Sequence, residues 1–165
     1  MRTEQELEDA VRKYGMLVFR LAVAMVSDGM LAEDIRQNVF LKYYLSNNSF
    51  QSDKALEAWL ARVTVNEGRS LLRSSWHKKH VLSDQVQEVE TMPDPAGAIV
   101  LRDEILEALQ HIPARYRAAI HLVYGENYSL NMLSEVLQIQ PSSAAALISR
   151  ARKALRKQLE VNHEG

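Results

Sequence analysis

The 165-residue chain contains no cysteine. That excludes a disulfide framework, a thiol nucleophile and a thiolate zinc site, and it suits a reducing compartment. Glycine and proline are scarce, at six and four residues. Long stretches run without either, which disfavours an all-β fold with its frequent turns. Long hydrophobic runs are missing too. The most apolar stretch, Met16 to Val26, is interrupted by Arg20 and falls short of the roughly 20 apolar residues that span a bilayer. The start, Met1 to Asp9, is acidic and lacks the basic-then-apolar pattern of a signal peptide. A cytoplasmic protein without membrane insertion is expected. Patterns of catalysis are equally absent: no Gly-rich phosphate loop, no Ser/His/Asp ordering and no convincing pair of carboxylates. His77 and His80 stand at i, i+3 without a third ligand nearby in sequence. No catalytic residue, metal or cofactor is expected.

What is present is a foldable chain, 47% hydrophobic and 25% charged. Its formal net charge of −1 hides an uneven distribution. Residues 1–80 carry a net +2, residues 81–107 a net −6 and residues 108–165 a net +3. Local basic patches, rather than total charge, govern phosphate binding.

Apolar residues recur at helical spacing from Glu4 to Val26, at Leu7, Val11, Leu17, Leu21 and Met25. A second helix is predicted over 30–45, with Leu31, Ile35, Val39, Phe40 and Tyr43 on its apolar side. Ser46 to Asp53 is polar and reads as a loop. A third helix spans about 54–77, with Leu56, Trp59, Leu60, Val63, Leu71 and Leu72 available for a core. Ser83 to Gly97 is polar, acidic and holds Pro93 and Pro95, so residues 81–98 read as a linker. Periodicity returns over 99–112 through Ile99, Ile105, Leu106, Leu109 and Ile112. Helices follow over 114–125, over 130–137 with Ser129 as N-cap, and over 141–160 with Pro141 in the first turn. The three-residue turn before Pro141 makes the last pair a helix-turn-helix. The expectation is an all-α protein of two small helical domains, 1–80 and 99–165, joined by an acidic linker.

Four blocks then become specific. Ala32-Glu33-Asp34-Ile35-Arg36-Gln37-Asn38-Val39-Phe40-Leu41-Lys42-Tyr43-Tyr44 resembles the sigma-factor region-two signature AEDLVQETFLRLW. Ala58-Trp59-Leu60-Ala61-Arg62-Val63-Thr64-Val65-Asn66 is similar to AWLYRIARN. Leu109-Gln110-His111-Ile112-Pro113-Ala114-Arg115-Tyr116-Arg117 resembles LxxLPxRYR, and Ser149-Arg150-Ala151-Arg152-Lys153-Ala154-Leu155-Arg156 resembles SRARKRLR. Any one block is weak; their order and separation are strong. The short chain resembles the extracytoplasmic-function (ECF) subgroup of the sigma-70 family. Departures from the pattern are Asn38 for Glu, Ser70 for Asp, Gln138 for the Gly of the helix-turn-helix, and Ala145-Ala146-Leu147 where Lys-Ser-Arg is common. A left-handed backbone at Gln138 would cost about 1–2 kcal/mol.

The resemblance implies a factor that binds core RNA polymerase, directs it to promoters and opens the DNA. Asp34, Gln37, Asn38, Leu41 and Lys42 share one side of the second helix. That side is either a solvated face or, as the resemblance implies, the contact with the polymerase β′ clamp coiled coil. Asn48 and Phe50 in the loop, with Arg62, Asn66, Arg69 and Arg73 on one face of the third helix, suit phosphates and single-stranded bases. The resemblance assigns them to the minus-ten element. Trp76 beside His77-Lys78-Lys79-His80 could stack on a base or cap a small core. On the last helix, Ala144, Ile148, Ala151, Leu155 and Leu159 should pack inward. Ser142, Ser143, Arg150 and Lys153 remain to touch duplex DNA at the minus-thirty-five element, and Leu147 could meet a thymine methyl. Further implied partners are the polymerase β flap and an anti-sigma factor. Two rival readings stand beside this one. A degenerate polymerase-binding adaptor would have lost promoter selectivity at residues 145–147. A free-standing helix-turn-helix repressor would leave the first 80 residues unexplained.

Overall fold

The computed structural model describes the backbone of residues 1–79 and 99–164 and the side chains of 1–74 and 104–161. The expected acidic linker and the side chains of Trp76, His77 and His80 lie outside the described residues. Among these, all regular structure is helical: α1 (Glu4–Val26), α2 (Gly29–Leu45), α3 (Asp53–Lys79), α4 (Ile99–Gln110), α5 (Ala114–Ile120), α6 (Leu130–Leu137) and α7 (Pro141–Glu164).

Local chemistry sets the boundaries. Thr3 caps α1 by accepting from the Glu6 N–H at 3.1 Å. Ser27 ends it in a left-handed conformation (φ 54°). One residue later Asp28 caps α2, taking the N–H groups of Met30 and Leu31 at 2.8 and 3.1 Å. Ser129 caps α6 through the Met132 N–H. Gln138 closes α6 at φ 57°, ψ 47°, the left-handed backbone whose cost was weighed for that position. The N–H of Ile139 reaches back to the Ser134 carbonyl at 3.0 Å, satisfying an end carbonyl of α6.

Helices α1, α2 and α3 pack around Val18, Leu21, Met25, Ile35, Val39, Leu60 and Val65, all buried. Gly68 leaves room for the buried Met25 side chain between α1 and α3. A Cβ there would stand 2.8 Å from the Met25 sulfur. Helices α4 to α7 pack around Ala108, Ile112, Ala118, Leu122, Leu133, Val136, Ala144 and Ile148.

Three expectations need correction. Helix α5 does not run evenly to 125, because residues 121–125 widen into a π turn. Its Gly125 lets the chain pass close to the His121 ring, 3.1 Å from where a Cβ would sit. On α4, Ile105 and Leu106 are exposed, and Ala108 and Ile112 supply the packing. Leu147 is only 2% exposed, buried beside Ala144, Ile148 and Ala151. The inward stripe of α7 is one residue wider than the i, i+4, i+7 spacing suggested. Leu147 is therefore a core residue and is withdrawn from the DNA contacts.

The two halves also touch. One continuous set of buried side chains runs from α1–α3 into α5–α7.

Candidate functional site

On α2, Asp34, Gln37, Asn38, Leu41 and Lys42 are all exposed, as the inward turn of Ile35, Val39, Phe40 and Tyr43 requires. Leu41 is 54% exposed although it is apolar. Leu45, one turn further, is exposed as well and lengthens the strip. The sequence signal for Leu45 was its i+4 spacing from Leu41. Lys42 is not a free cation, because its ammonium pairs with Glu67 on α3. This edge thus joins an acid, two amides and two exposed leucines over three turns.

The α3 face divides in two. Asn66, Arg69 and Arg73 are exposed at i, i+3 and i+7. Arg62 shares their side but bends toward α6, where its Nη2 donates to the Glu135 carbonyl at 2.7 Å. Its Nε is buried with no hydrogen-bond partner. Before α3, Asn48 is exposed, and Phe50 is half-buried against Trp59 (ring centroids 5.6 Å apart) and Tyr43 (6.5 Å). Trp59 belongs to this aromatic group and packs on the core.

On α7, Ser142, Ser143, Arg150 and Lys153 are exposed, and Ala146 lies between them. Arg152 reaches the Tyr124 hydroxyl at 3.2 Å. Two serines at a helix N-terminus and two cations a few turns on have a chemistry that suits phosphates.

Residues 10–78 match the family model for Sigma-70 region 2, and residues 102–155 match that for Sigma-70 region 4. The chain belongs to the sigma-70 family. The ECF sigma factor SigW of Bacillus subtilis is 27% identical over 92% of this chain and 87% of its own length. CarQ of Myxococcus xanthus is 28% identical over 94% and 90%. Among solved structures, the sigma factor RpoE of Bartonella quintana, in complex with the anti-sigma factor NepR, superposes with a TM-score of 0.76 at 23% identity. The match covers 95% of this chain and 98% of that one. This sigma factor of the ECF type binds core RNA polymerase and directs promoter-specific initiation of transcription. Sigma factors are regulatory proteins of transcription. None of its described helices is long and apolar enough to cross a membrane.

Sequence reasoning missed the polar bridges between the halves of the sigma factor, which join residues about 70 to 106 positions apart. Arg117 donates to the Ala24 carbonyl at 3.0 Å, to the Met25 carbonyl and, within its own half, to the Ile112 carbonyl at 2.6 Å. The first two are end carbonyls of α1 that no intrahelical N–H can reach. Burial lowers the Arg117 pKa, yet the guanidinium stays charged. The Tyr128 hydroxyl donates to Glu57 at 3.0 Å, and burial pushes it far above the usual phenol range. Arg20 grips Glu126 with two hydrogen bonds, of 2.9 and 3.1 Å, and Glu126 lies 2.9 Å from His121 Nε2.

That last cluster makes stability depend on pH. Burial holds the His121 imidazole below its ordinary 6.5, outweighing the pull of Glu126. Burial alone would raise the Glu126 carboxyl, but Arg20 and His121 outweigh it and hold the group below 4.5. Both groups bind fewer protons folded than unfolded. The stability they contribute is complete above about pH 6.5 and is lost as pH falls through the lowered values, first at His121 and then at Glu126. Thermal melts between about pH 7.5 and 5.5 should show a larger fall in Tm for the native protein than for His121→Gln. Equal falls in both would remove His121 as the source.

Proposed function

We propose that residues 1–80 form the polymerase-docking and minus-ten domain, residues 81–98 a linker and residues 99–165 the minus-thirty-five domain. Asp34, Gln37, Asn38, Leu41 and Lys42, extended by Leu45, dock on the clamp coiled coil of the β′ subunit. Two exposed leucines one turn apart beside an acid and two amides support this reading, since together they give the strip an apolar contact with a polar rim. Asn48, Phe50, Asn66, Arg69 and Arg73, with Trp76 beyond them, hold the non-template strand of the minus-ten element. Cations track its phosphates, and aromatic rings receive its unstacked bases. Arg62 joins them once its bond to Glu135 breaks. Ser142, Ser143, Arg150 and Lys153 position α7 on the minus-thirty-five duplex near the β flap. The protein acts in the cytoplasm, by recruitment and strand capture rather than by catalysis. An anti-sigma factor is a further partner. The support is the likeness, over both halves, to a chain solved in complex with one.

The observation that carries this reading is the separation of two exposed faces, an α2 strip for a protein and an α3 face for nucleic acid. The test is transcription by purified core polymerase across a promoter library, with two variants. Asp34→Arg should weaken core binding at least about tenfold, the scale of reversing a charge inside an interface. Arg69→Ala should keep core affinity and reduce permanganate reactivity at the minus-ten thymines. Its salt slope for strand binding should also be shallower by about 0.7, one phosphate contact. Unchanged core affinity in Asp34→Arg removes the α2 strip from the interface. A native footprint in Arg69→Ala removes the α3 face.

A further inference from the structure

The loop between α2 and α3 has a fastener that lies more than forty residues away in sequence. The backbone N–H of Arg2 donates to the Tyr44 carbonyl at 3.0 Å, and its Nε donates to the Tyr43 carbonyl at 3.1 Å. Both acceptors belong to the last turn of α2, where intrahelical donors run out. Ser46 supplies two of the missing donors, through its N–H at 3.2 Å and its hydroxyl at 2.9 Å, both to Tyr43. Arg2 supplies two more and goes further. Its Nη2 donates to the Asn48 carbonyl inside the loop. Its guanidinium carbon lies 4.3 Å from the Tyr43 ring centroid and 5.2 Å from that of Phe50. The side chain is only 14% exposed. One guanidinium therefore holds the end of α2, the loop backbone at Asn48 and the face of Phe50.

We propose that Arg2 is a positioning residue for promoter opening, fixing Asn48 and Phe50 in the geometry that receives an unstacked base. The inference rests on the reading of the loop as the strand-capture element. Taking a base out of the stack costs free energy. A loop that had to order itself at the same time would add the conformational entropy of each residue fixed. Arg2 orders the loop before DNA arrives, so the contacts of Asn48 and Phe50 go toward the base. Its anchor inside the loop is the Asn48 backbone carbonyl, which sets where the loop lies and leaves the exposed Asn48 side chain to read, while its Nη1 pairs with Glu6 on α1 at 3.8 Å.

The experiment uses the full chain with core polymerase and two promoters, one with the preferred minus-ten element and one with a single substitution in it. The variants are Arg2→Gln, Arg2→Lys, Phe50→Ala and the double variant Arg2→Gln/Phe50→Ala. The readout is the ratio of open-complex rates on the two promoters, beside core affinity and urea midpoint. For Arg2→Gln the ratio should fall roughly tenfold, within the range of one base pair's discrimination, with core affinity unchanged. Arg2→Lys keeps the charge over the rings but loses the fork of donors, and should restore part of the ratio. The double variant should be no worse than Phe50→Ala alone, since both changes then act on one contact. A role confined to stabilising α2 would lower both rates together, in step with the urea midpoint, and that result overturns the proposal. A normal ratio in Arg2→Gln beside a lost one in Phe50→Ala overturns the role of Arg2 and leaves the loop reading standing. A normal ratio in Phe50→Ala overturns both.

Discussion

Arg117→Met should lower the stability of the whole chain by about 3 kcal/mol, the scale of removing hydrogen bonds from a charged donor and stranding their acceptors. Methionine keeps much of the side-chain volume and removes every donor. The Ala24 and Met25 carbonyls at the end of α1 and the Ile112 carbonyl before α5 all lose their guanidinium partner. The positive charge that favours the C-terminal end of α1 goes as well. For a chain of this size the loss corresponds to a fall in Tm of roughly 10 °C. Urea and thermal melts at neutral pH measure it. Because two of the bonds cross between the halves, the variant should also unfold over a broader range, with the halves melting less as one unit. A midpoint within about 0.5 kcal/mol of the native protein, the ordinary range for surface changes, would reduce Arg117 to a surface residue.

Leu147→Ala should cost about 2–5 kcal/mol, the range for truncating a buried leucine to alanine. Arg150→Ala, three residues on, should leave stability within about 0.5 kcal/mol. Both should depress transcription, for different reasons. In the first the helix-turn-helix loses its packing, and in the second a folded domain loses a phosphate contact. Urea melts separate the causes. DNA binding against salt supplies the second signature, a slope shallower by about 0.9 for Arg150→Ala alone. A stably folded Leu147→Ala that no longer transcribes would return Leu147 to the DNA surface and contradict its burial.

The helices were legible because apolar spacing and capping residues agree. Ser129 was read as a cap one residue before a helix that the periodicity also marks, and the structure adds Thr3 and Asp28 in the same position before α1 and α2. The exposed α2 strip was legible for the same reason, since fixing Ile35, Val39 and Tyr43 inward fixes Asp34, Gln37 and Leu41 outward. The left-handed backbone at Gln138 was raised by the resemblance, which places Gly at that turn, and φ is 57° there. Leu147 was misplaced because helical spacing fixes an angle and not the width of the buried stripe. That width depends on how many neighbours surround the helix, and α7 meets α4, α5 and α6. The π turn leaves no periodic signal, because one extra residue per turn shifts the register over a single step. Arg2, Arg62 and Arg117 were beyond reach for a further reason. Each bonds main-chain carbonyls far away in sequence, and a carbonyl looks alike under every side chain.

That last property matters at the join between α3 and α6. Glu135 meets Arg62 only through its carbonyl, and its own side chain is exposed. The recognition is therefore one-sided: position 62 must supply a donor long enough to reach α6, whereas position 135 can change without the bond registering it. Mutation could tune how firmly this join holds from one residue alone, with no compensating change across it. The same guanidinium leaves its Nε dry and unanswered there. The seat on α6 leaves part of the guanidinium unsatisfied, whereas the strand of phosphates proposed for this face would offer an acceptor in every direction it can donate.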